Sequence, residues 1–277
     1  MSASPTTAER PLCLVVTAGG TREPIDDVRH VTNVATGTLP AALARAWLSQ
    51  GATVHYLHGP GAALPHQIHS DLEVLPATAE ELRCRLDLLR LHAERWRQRL
   101  AHGTLVLHPV ETAAQATEML ARLSRELQPD GVACAMAVAD FAPVPVRGKI
   151  ASRKDLLHPT AADTDGLTLH LWPTAKAIDE VKAACPTTFL LGFKLLSRVS
   201  ESELCAAAAH LARRSRADLV FANDLQDVDA GRRRGLLVDA TGAVQGRLDG
   251  GQGSQAAEQL ADLLADEVVR RVRARRP

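Results

Sequence analysis

The sequence predicts an α/β fold: a Rossmann-like, mostly parallel sheet with helices on both faces. Three observations predict it. Apolar runs without polar alternation, at residues 12–17 and 131–139, read as strands buried on both faces. Segments with helical periodicity lie between such runs. Strand and helix alternate along most of the chain, which calls for parallel neighbours joined by crossovers on both sides of the sheet. No tandem repeat and no linker divides the 277 residues, so residues 1–277 read as a single domain.

The first strand, residues 12–17, runs into Ala18-Gly19-Gly20, the composition of a tight turn. Residues 40–50 are Ala-rich and read as a helix stopped by Gly51. Residues 53–57 and 72–75 read as further strands. Thr78 stands where it can cap a long helix whose apolar stripe is Leu82, Leu86, Leu89, Ala93, Trp96 and Leu100. Arg83, Arg85, Arg90, Arg97 and Arg99 fall between these positions and read as a solvated face. The segment at about 78–103 has the look of a helical insertion, structural or flanking a dimer contact. A strand at 105–110 precedes a helix presenting Ala113, Ala116, Leu120, Leu123 and Leu127. Residues 131–139 read as the central strand. Residues 140–166 carry five prolines and glycines with little periodicity, a long loop of the functional kind. Then follow strand 167–171, helix 174–184, strand 188–193, helix 202–213, strand 217–222, a glycine-rich stretch with short strands, and a last helix from Ser254.

Composition narrows the function. Apolar residues make up 46% of the chain, enough for a full core. Lys plus Arg number 32 and Asp plus Glu 32, a formal net charge of zero. Such a chain has no general attraction for nucleic acid or an anionic membrane, so an anionic ligand needs a local site. Residues 1–10 are polar, and the longest apolar run, 132–139, is too short to span a bilayer; the expectation is a cytoplasmic protein. Five scattered cysteines without a Cys-x-x-Cys pair read as reduced core residues. The histidines lack metal-ligand spacing, and no metal-ligating residue is expected.

In open parallel sheets ligands bind at the carboxyl ends of the strands, so the polar residues there are the candidates. After the first strand, Gly19 and Gly20 either admit an anion to the backbone, with Arg22 at hand, or simply form a turn. Thr36 and Gly37 precede a helix and read equally as an anion site or as a cap. Asp140 ends the central strand; it can hold a ribose hydroxyl or a metal, or cap a turn. Lys149 lies in the long loop, where a movable cation can reach a polyphosphate. Gly192-Phe193-Lys194 and Ala222-Asn223-Asp224 mark two later strand ends.

Taken in order, these strings resemble the phosphopantothenate–cysteine ligase family, stand-alone bacterial type. The carriers are residues 17–26, Val28-Arg29, Thr32-Asn33, residues 136–141, Lys149-Ile150, residues 192–196 and residues 222–225. The resemblance covers most of the chain and is specific as a set. It implies a Rossmann-like, usually dimeric enzyme that joins 4′-phosphopantothenate to cysteine through an acyl-nucleotide, with CTP favoured as co-substrate and Mg²⁺ required. It further implies that Asn33 and Lys149 are catalytic. It assigns Gly19, Gly20, Ala137, Val138, Asp140, Phe193 and Lys194 to nucleotide binding, and Arg29, Thr36 and Gly37 to substrate binding. The chain departs from the family pattern where Gly37 is followed by Thr38-Leu39-Pro40, where Val34 and Ala35 replace a polar pair, and where Ala151-Ser152-Arg153-Lys154 follow the loop lysine.

Other readings remain open. A paralogous ligase with another acid or amine would share the chemistry. A non-catalytic nucleotide-binding module would not need Asn33. A Rossmann oxidoreductase would want G-x-G-x-x-G and an acidic end to the second strand. This chain has residues 18–23 and Tyr56-Leu57-His58 at those places.

Overall fold

The computed structural model describes residues 10–66, 78–150 and 168–276. Its centre is an eight-stranded sheet in the order β12-β11-β10-β9-β6-β1-β4-β5. The strands are β1 (Cys13–Ala18), β4 (Thr53–His58), β5 (Leu105–Pro109), β6 (Gly131–Cys134), β9 (Phe189–Leu196), β10 (Leu219–Asp224), β11 (Arg232–Val238) and β12 (Val244–Gln252). From β5 to β10 all neighbours are parallel; β11 and β12 add an antiparallel edge. Two hairpins of three-residue strands stand apart from the sheet: β2 (Arg22–Pro24) with β3 (His30–Thr32), and β7 (Phe141–Pro143) with β8 (Leu171–Pro173).

Alternation along the strands divides the core between the two faces. Leu14, Val16, Leu191 and Phe221 point to one face, covered by α1 (Thr38–Ser49) and α7 (Ala256–Arg273). Val15, Leu190 and Val220 point to the other, covered by α3 (Ala113–Leu127), α4 (Ala177–Ala184) and α5 (Glu201–Ser215). Burial on both faces explains the unbroken apolar runs. The helix starts are locally encoded. Thr112 with Gln115 and Ser200 with Glu203 form reciprocal capping boxes on α3 and α5. Among the described residues, no helix is long and apolar enough to cross a membrane.

Several elements differ from the sequence reading. The apolar run from Gly131 leaves the sheet after Cys134, because residues 135–139 bond to the β1 turn instead of continuing along β9. The helix expected from Thr174 begins at Ala177, because the Thr174 hydroxyl is taken by the Ala139 carbonyl and its N–H by the Asp140 carbonyl, 3.0 Å away. The strand expected at 167–171 appears as Leu171–Pro173, paired in the β7–β8 hairpin. The strand expected at 72–75 lies outside the described residues. The helix capped by Thr78 is present as α2 (Ala79–Ala101), with Thr78 Oγ1 accepting from the Glu81 N–H at 3.1 Å. Of its apolar stripe only Trp96 is buried, under the Arg99 guanidinium 5.0 Å from the ring centre, while Leu82 and Leu86 stay exposed. A short helix, α6 (Leu225–Asp229), capped by Asp224, was not anticipated.

Connections run from β1 outward to β4 and β5, then return across to β6, β9 and β10. The direction reverses between β1 and β6, which opens a crevice at their carboxyl ends. Gly59, just past β4, packs against the turn after β1, its N–H donating to the Ala18 carbonyl at 3.0 Å. A Cβ there would lie inside the Gly20 carbonyl, a backbone atom that cannot rotate away. Gly59→Ala should therefore lower stability by roughly 1–3 kcal/mol or more, the usual cost of overpacking. The midpoint of urea unfolding measures this; an unchanged midpoint would show that the β1 turn is not packed as described.

Candidate active site at the sheet switch point

The site grows from the turn after β1. Gly19 has φ +75°, and a Cβ on it would lie 2.5 Å from the Ala62 side chain. Both facts require glycine. The turn is stitched to residues 135–139: Ala137 N–H donates to the Gly19 carbonyl at 2.8 Å, and Gly20 and Ala137 form an isolated parallel bridge. Two buried threonines clip the strip from either side. Thr17 Oγ1 accepts from Met136 N–H and Thr21 Oγ1 from Ala139 N–H, each at 3.0 Å.

Beside this seam lies a cleft of about 640 Å³. Gly19, Thr36, Gly37, Ala137, Val138, Asp140, Phe193 and Lys194 all line it, so eight of the positions singled out from sequence converge on one space. Its walls also carry Lys176, Arg214, Arg233 and Arg234; with Lys194 that makes five cationic side chains against one carboxylate, Asp140. In a chain of zero net charge, this concentration is local and suits a polyanion.

Asn33 sits against the seam. Its side-chain N–H donates to the Ala137 carbonyl at 3.2 Å, and its own carbonyl approaches Gly20. It does not cap α1: the N-cap is Gly37, with φ 72° and no side-chain cap bond. Thr36 and Thr38 bond each other through their hydroxyls at 2.9 Å. Ala137 has spent its N–H on Gly19 and its carbonyl on Thr21 and Asn33. Among the described residues, the backbone N–H and carbonyl of Val138 have no partner, which leaves that edge for a ligand.

Gly20, Arg29, Asn33 and Lys149 do not line the cleft. The Arg29 guanidinium bonds the Asp26 carboxylate at 2.6 Å and the Ile150 carbonyl at 3.1 Å. Lys149 is exposed on the excursion from β7. Burial works against the Asp26 charge. Donation from the N–H groups of Val28, Ile150 and Arg29 and from the Arg29 guanidinium outweighs it, holding this carboxyl below the ordinary aspartate range.

The family described as DNA/pantothenate metabolism flavoprotein C-terminal domain matches residues 11–87 and 99–268. The chain belongs to this family. The match passes over residues 88–98 in the middle of α2. The coenzyme A biosynthesis bifunctional protein CoaBC of Thermococcus kodakarensis is 29% identical over 225 residues, which cover 81% of this chain and 44% of that protein. The protein of the same name from Bacillus subtilis is 30% identical over 222 residues, covering 79% of this chain and 41% of its own. This chain thus spans less than half the length of these two relatives. The crystal structure of the DNA/pantothenate metabolism flavoprotein from Streptococcus pneumoniae superposes with a TM-score of 0.67 at 25% identity, covering 94% of this chain and 99% of that one. A Cab2 variant in complex with phosphopantothenate-cysteine shares the fold, with a TM-score of 0.71 at 23% identity and coverage of 95% and 87%.

Within this member of the DNA/pantothenate metabolism flavoprotein C-terminal family, several cleft residues escaped the sequence reading. Lys176 is the N-cap residue of α4, makes no cap bond, and pairs with Asp140 across the cleft mouth. A lysine is poorly placed at a helix N-terminus, whose dipole repels cations. Its position beside acidic Asp179 and Glu180 was visible in sequence, but with the helix drawn from Thr174 it fell inside the first turn. Arg233 and Arg234 belong to an arginine run on β11; Arg234 is held by Asp227 at 2.8 Å and Arg233 by the Val228 carbonyl at 2.8 Å. Only the sheet order brings them over the site. Cys134 also lines the cleft, but burial, with Asp179 nearby, pushes its thiol up to about 12. It is no nucleophile. A maleimide at neutral pH should label exposed Cys84 quickly and leave Cys134 unlabelled until the protein is denatured. Comparable labelling of the two in the folded protein, read by peptide mass, would contradict this cleft wall.

Proposed function

We propose that this chain is a phosphopantothenate–cysteine ligase of coenzyme A biosynthesis. It would form the amide between 4′-phosphopantothenate and cysteine through an acyl-nucleotide intermediate. One observation carries the reading: the switch-point cleft gathers five cations beside the seam in a chain of zero net charge. Family membership and the likeness to CoaBC proteins support it.

The chemistry asks for these residue types. A carboxylate resists attack because it already bears charge; joining it to the α-phosphate of a nucleotide supplies a leaving group. Lys194, Arg233 and Arg234 would hold the triphosphate, and Lys149 would act on its charge from the neighbouring excursion. Among the described residues no group of three or more His, Cys, Asp or Glu could hold a metal, and Asp140 is paired with Lys176. Mg²⁺ would enter as the counterion of the nucleotide, as part of the substrate. The free backbone edge at Val138 supports recognition of a compact base, and with it CTP over ATP. Asn33 would orient the acyl carbonyl for attack by the amine. A cytoplasmic homodimer belongs to the same proposal; exposed Phe141 and Trp172 on the β7–β8 hairpin give such a dimer an apolar contact.

A second reading is favoured by one feature. The α1 side of the cleft presents Val34, Ala35, Leu39 and Pro40, none of which offers a charged or hydrogen-bonding side chain. That wall would also suit a paralogous ligase whose acid lacks the phosphate.

Incubation with phosphopantothenate, cysteine and each of the four nucleoside triphosphates should release pyrophosphate and form the amide, fastest with CTP. Phosphopantothenate-independent turnover with another acid would favour the second reading. In single-turnover experiments Asn33→Asp should still release pyrophosphate yet form little amide, because the change adds charge and removes the donor proposed to orient the acyl carbonyl. Equal loss of both half-reactions, or a normal rate of amide formation, would remove Asn33 from this role.

A further inference from the structure

The two residues assigned to the chemistry lie far apart in sequence but hang from one short hairpin. Strands β2 and β3 pair Arg22 with Thr32, Glu23 with Val31 and Pro24 with His30. Asn33 follows β3 directly. The turn between the strands closes through Ile25 N–H to the Arg29 carbonyl at 2.8 Å. This turn also grips the chain on both sides of Lys149. Ile150 N–H donates to Asp26 Oδ2 at 3.0 Å, and the Ile150 carbonyl accepts from Arg29 at 3.1 Å. Gly148 N–H donates to Asp27 Oδ2 at 3.0 Å, and the Gly148 carbonyl accepts from Asp27 N–H at 3.3 Å. Val146 N–H adds a bond to the Ile25 carbonyl at 2.9 Å. Both neighbours of Lys149 are thus pinned at N–H and C=O alike, while its own side chain stays exposed. Gly148 has φ +82°, which lets the chain double back into this grip.

At the centre of the latch is Asp26. Its side chain is fully shielded from solvent and accepts from four donors: Val28 N–H at 2.9 Å, Arg29 N–H at 2.7 Å, the Arg29 guanidinium at 2.6 Å and Ile150 N–H at 3.0 Å. A buried carboxylate so fully satisfied defines one geometry. We infer that Asp26 is the positioning residue of this active site: it locks the Lys149 segment onto the hairpin that carries Asn33 and so sets the two groups in one frame. The inference rests on the roles proposed above for Lys149 and Asn33. Preorganisation of this kind matters because a displacement of about 1 Å costs about 100-fold in rate.

Asp26→Asn keeps the shape but sets an NH₂ group against donors and removes the charge that Arg29 needs. The test uses the full-length chain and three variants: Asp26→Asn, Lys149→Gln and the double variant. Trypsin cleavage after Arg147 and Lys149, read by mass spectrometry, should rise about tenfold or more in Asp26→Asn. Its kcat should fall about 100-fold, with the KM for nucleotide within about threefold of the parent. The double variant should be no more than about threefold slower than Lys149→Gln alone, as expected when one residue acts through the other. If Asp26→Asn does not fold, Asp27→Ala at an exposed position opens the Gly148 side of the latch and should shift cleavage and kcat the same way, in smaller measure. A slow Lys149→Gln beside an Asp26→Asn of normal kcat, or losses that multiply in the double variant, overturn the inference and leave the role of Lys149 standing. A Lys149→Gln variant of normal rate overturns that role, and the positioning inference with it.

Discussion

The site depends on one close approach: the backbone of the turn after β1 lies directly against residues 135–139. Everything near it is chosen to permit that contact. Gly19 and Gly20 have no side chain to hold the strands apart, Gly59 leaves room for the Gly20 carbonyl, and Thr17 and Thr21 supply the hydroxyls that fasten the strip. The contact ends β6 early, turns the chain at Asp140, and opens the cleft where the order of the sheet reverses. A side chain on Gly19 would strike Ala62, one on Gly20 the Asn33 carbonyl and one on Gly59 the Gly20 carbonyl, so each would displace the turn itself.

Charge is arranged against this neutral frame. The opposite pole of the sheet is tied by ion clusters that each set two cations on one carboxylate: Asp130 with Arg10 and Arg276, and Asp218 with Lys182 and Arg275. In the cleft three of the five cations are paired in the same manner, Lys176 with Asp140, Arg214 with Asp179 and Arg234 with Asp227, and of these carboxylates only Asp140 lines the cleft. Lys176, Arg214 and Arg234 are a third to a half exposed, so salt in the solvent screens the charge they present to a ligand.

Much of this was legible in the sequence, because the carrying signals are local. Unbroken apolar runs marked the buried strands, Thr78 announced a helix, and glycines after β1 marked a strand end worth attention. Long-range choices were not legible. The run from Gly131 to Ala139 reads as one strand, and only its bonds to Thr17, Gly19 and Thr21 make it leave the sheet. Thr174 reads as the first residue of a helix until its hydroxyl is seen to serve Ala139. Strands as short as β2 and β3 have no periodicity to show, so the grip of Asp26 on Ile150 was invisible, and Lys149 read as belonging to a freely moving loop. Arginines on β11 look like any solvated run until the sheet order sets them beside Lys194.

The central claim is that this seam and its cations form a binding site for a nucleoside triphosphate. Calorimetric titration of CTP into the intact chain at low and high salt tests it most directly. The account predicts one nucleotide per chain, an affinity that falls steeply as salt rises, and a loss of about tenfold or more, about 1.4 kcal/mol, when Lys194 is replaced by Met. No saturable binding, or binding indifferent to both salt and Lys194→Met, would contradict it.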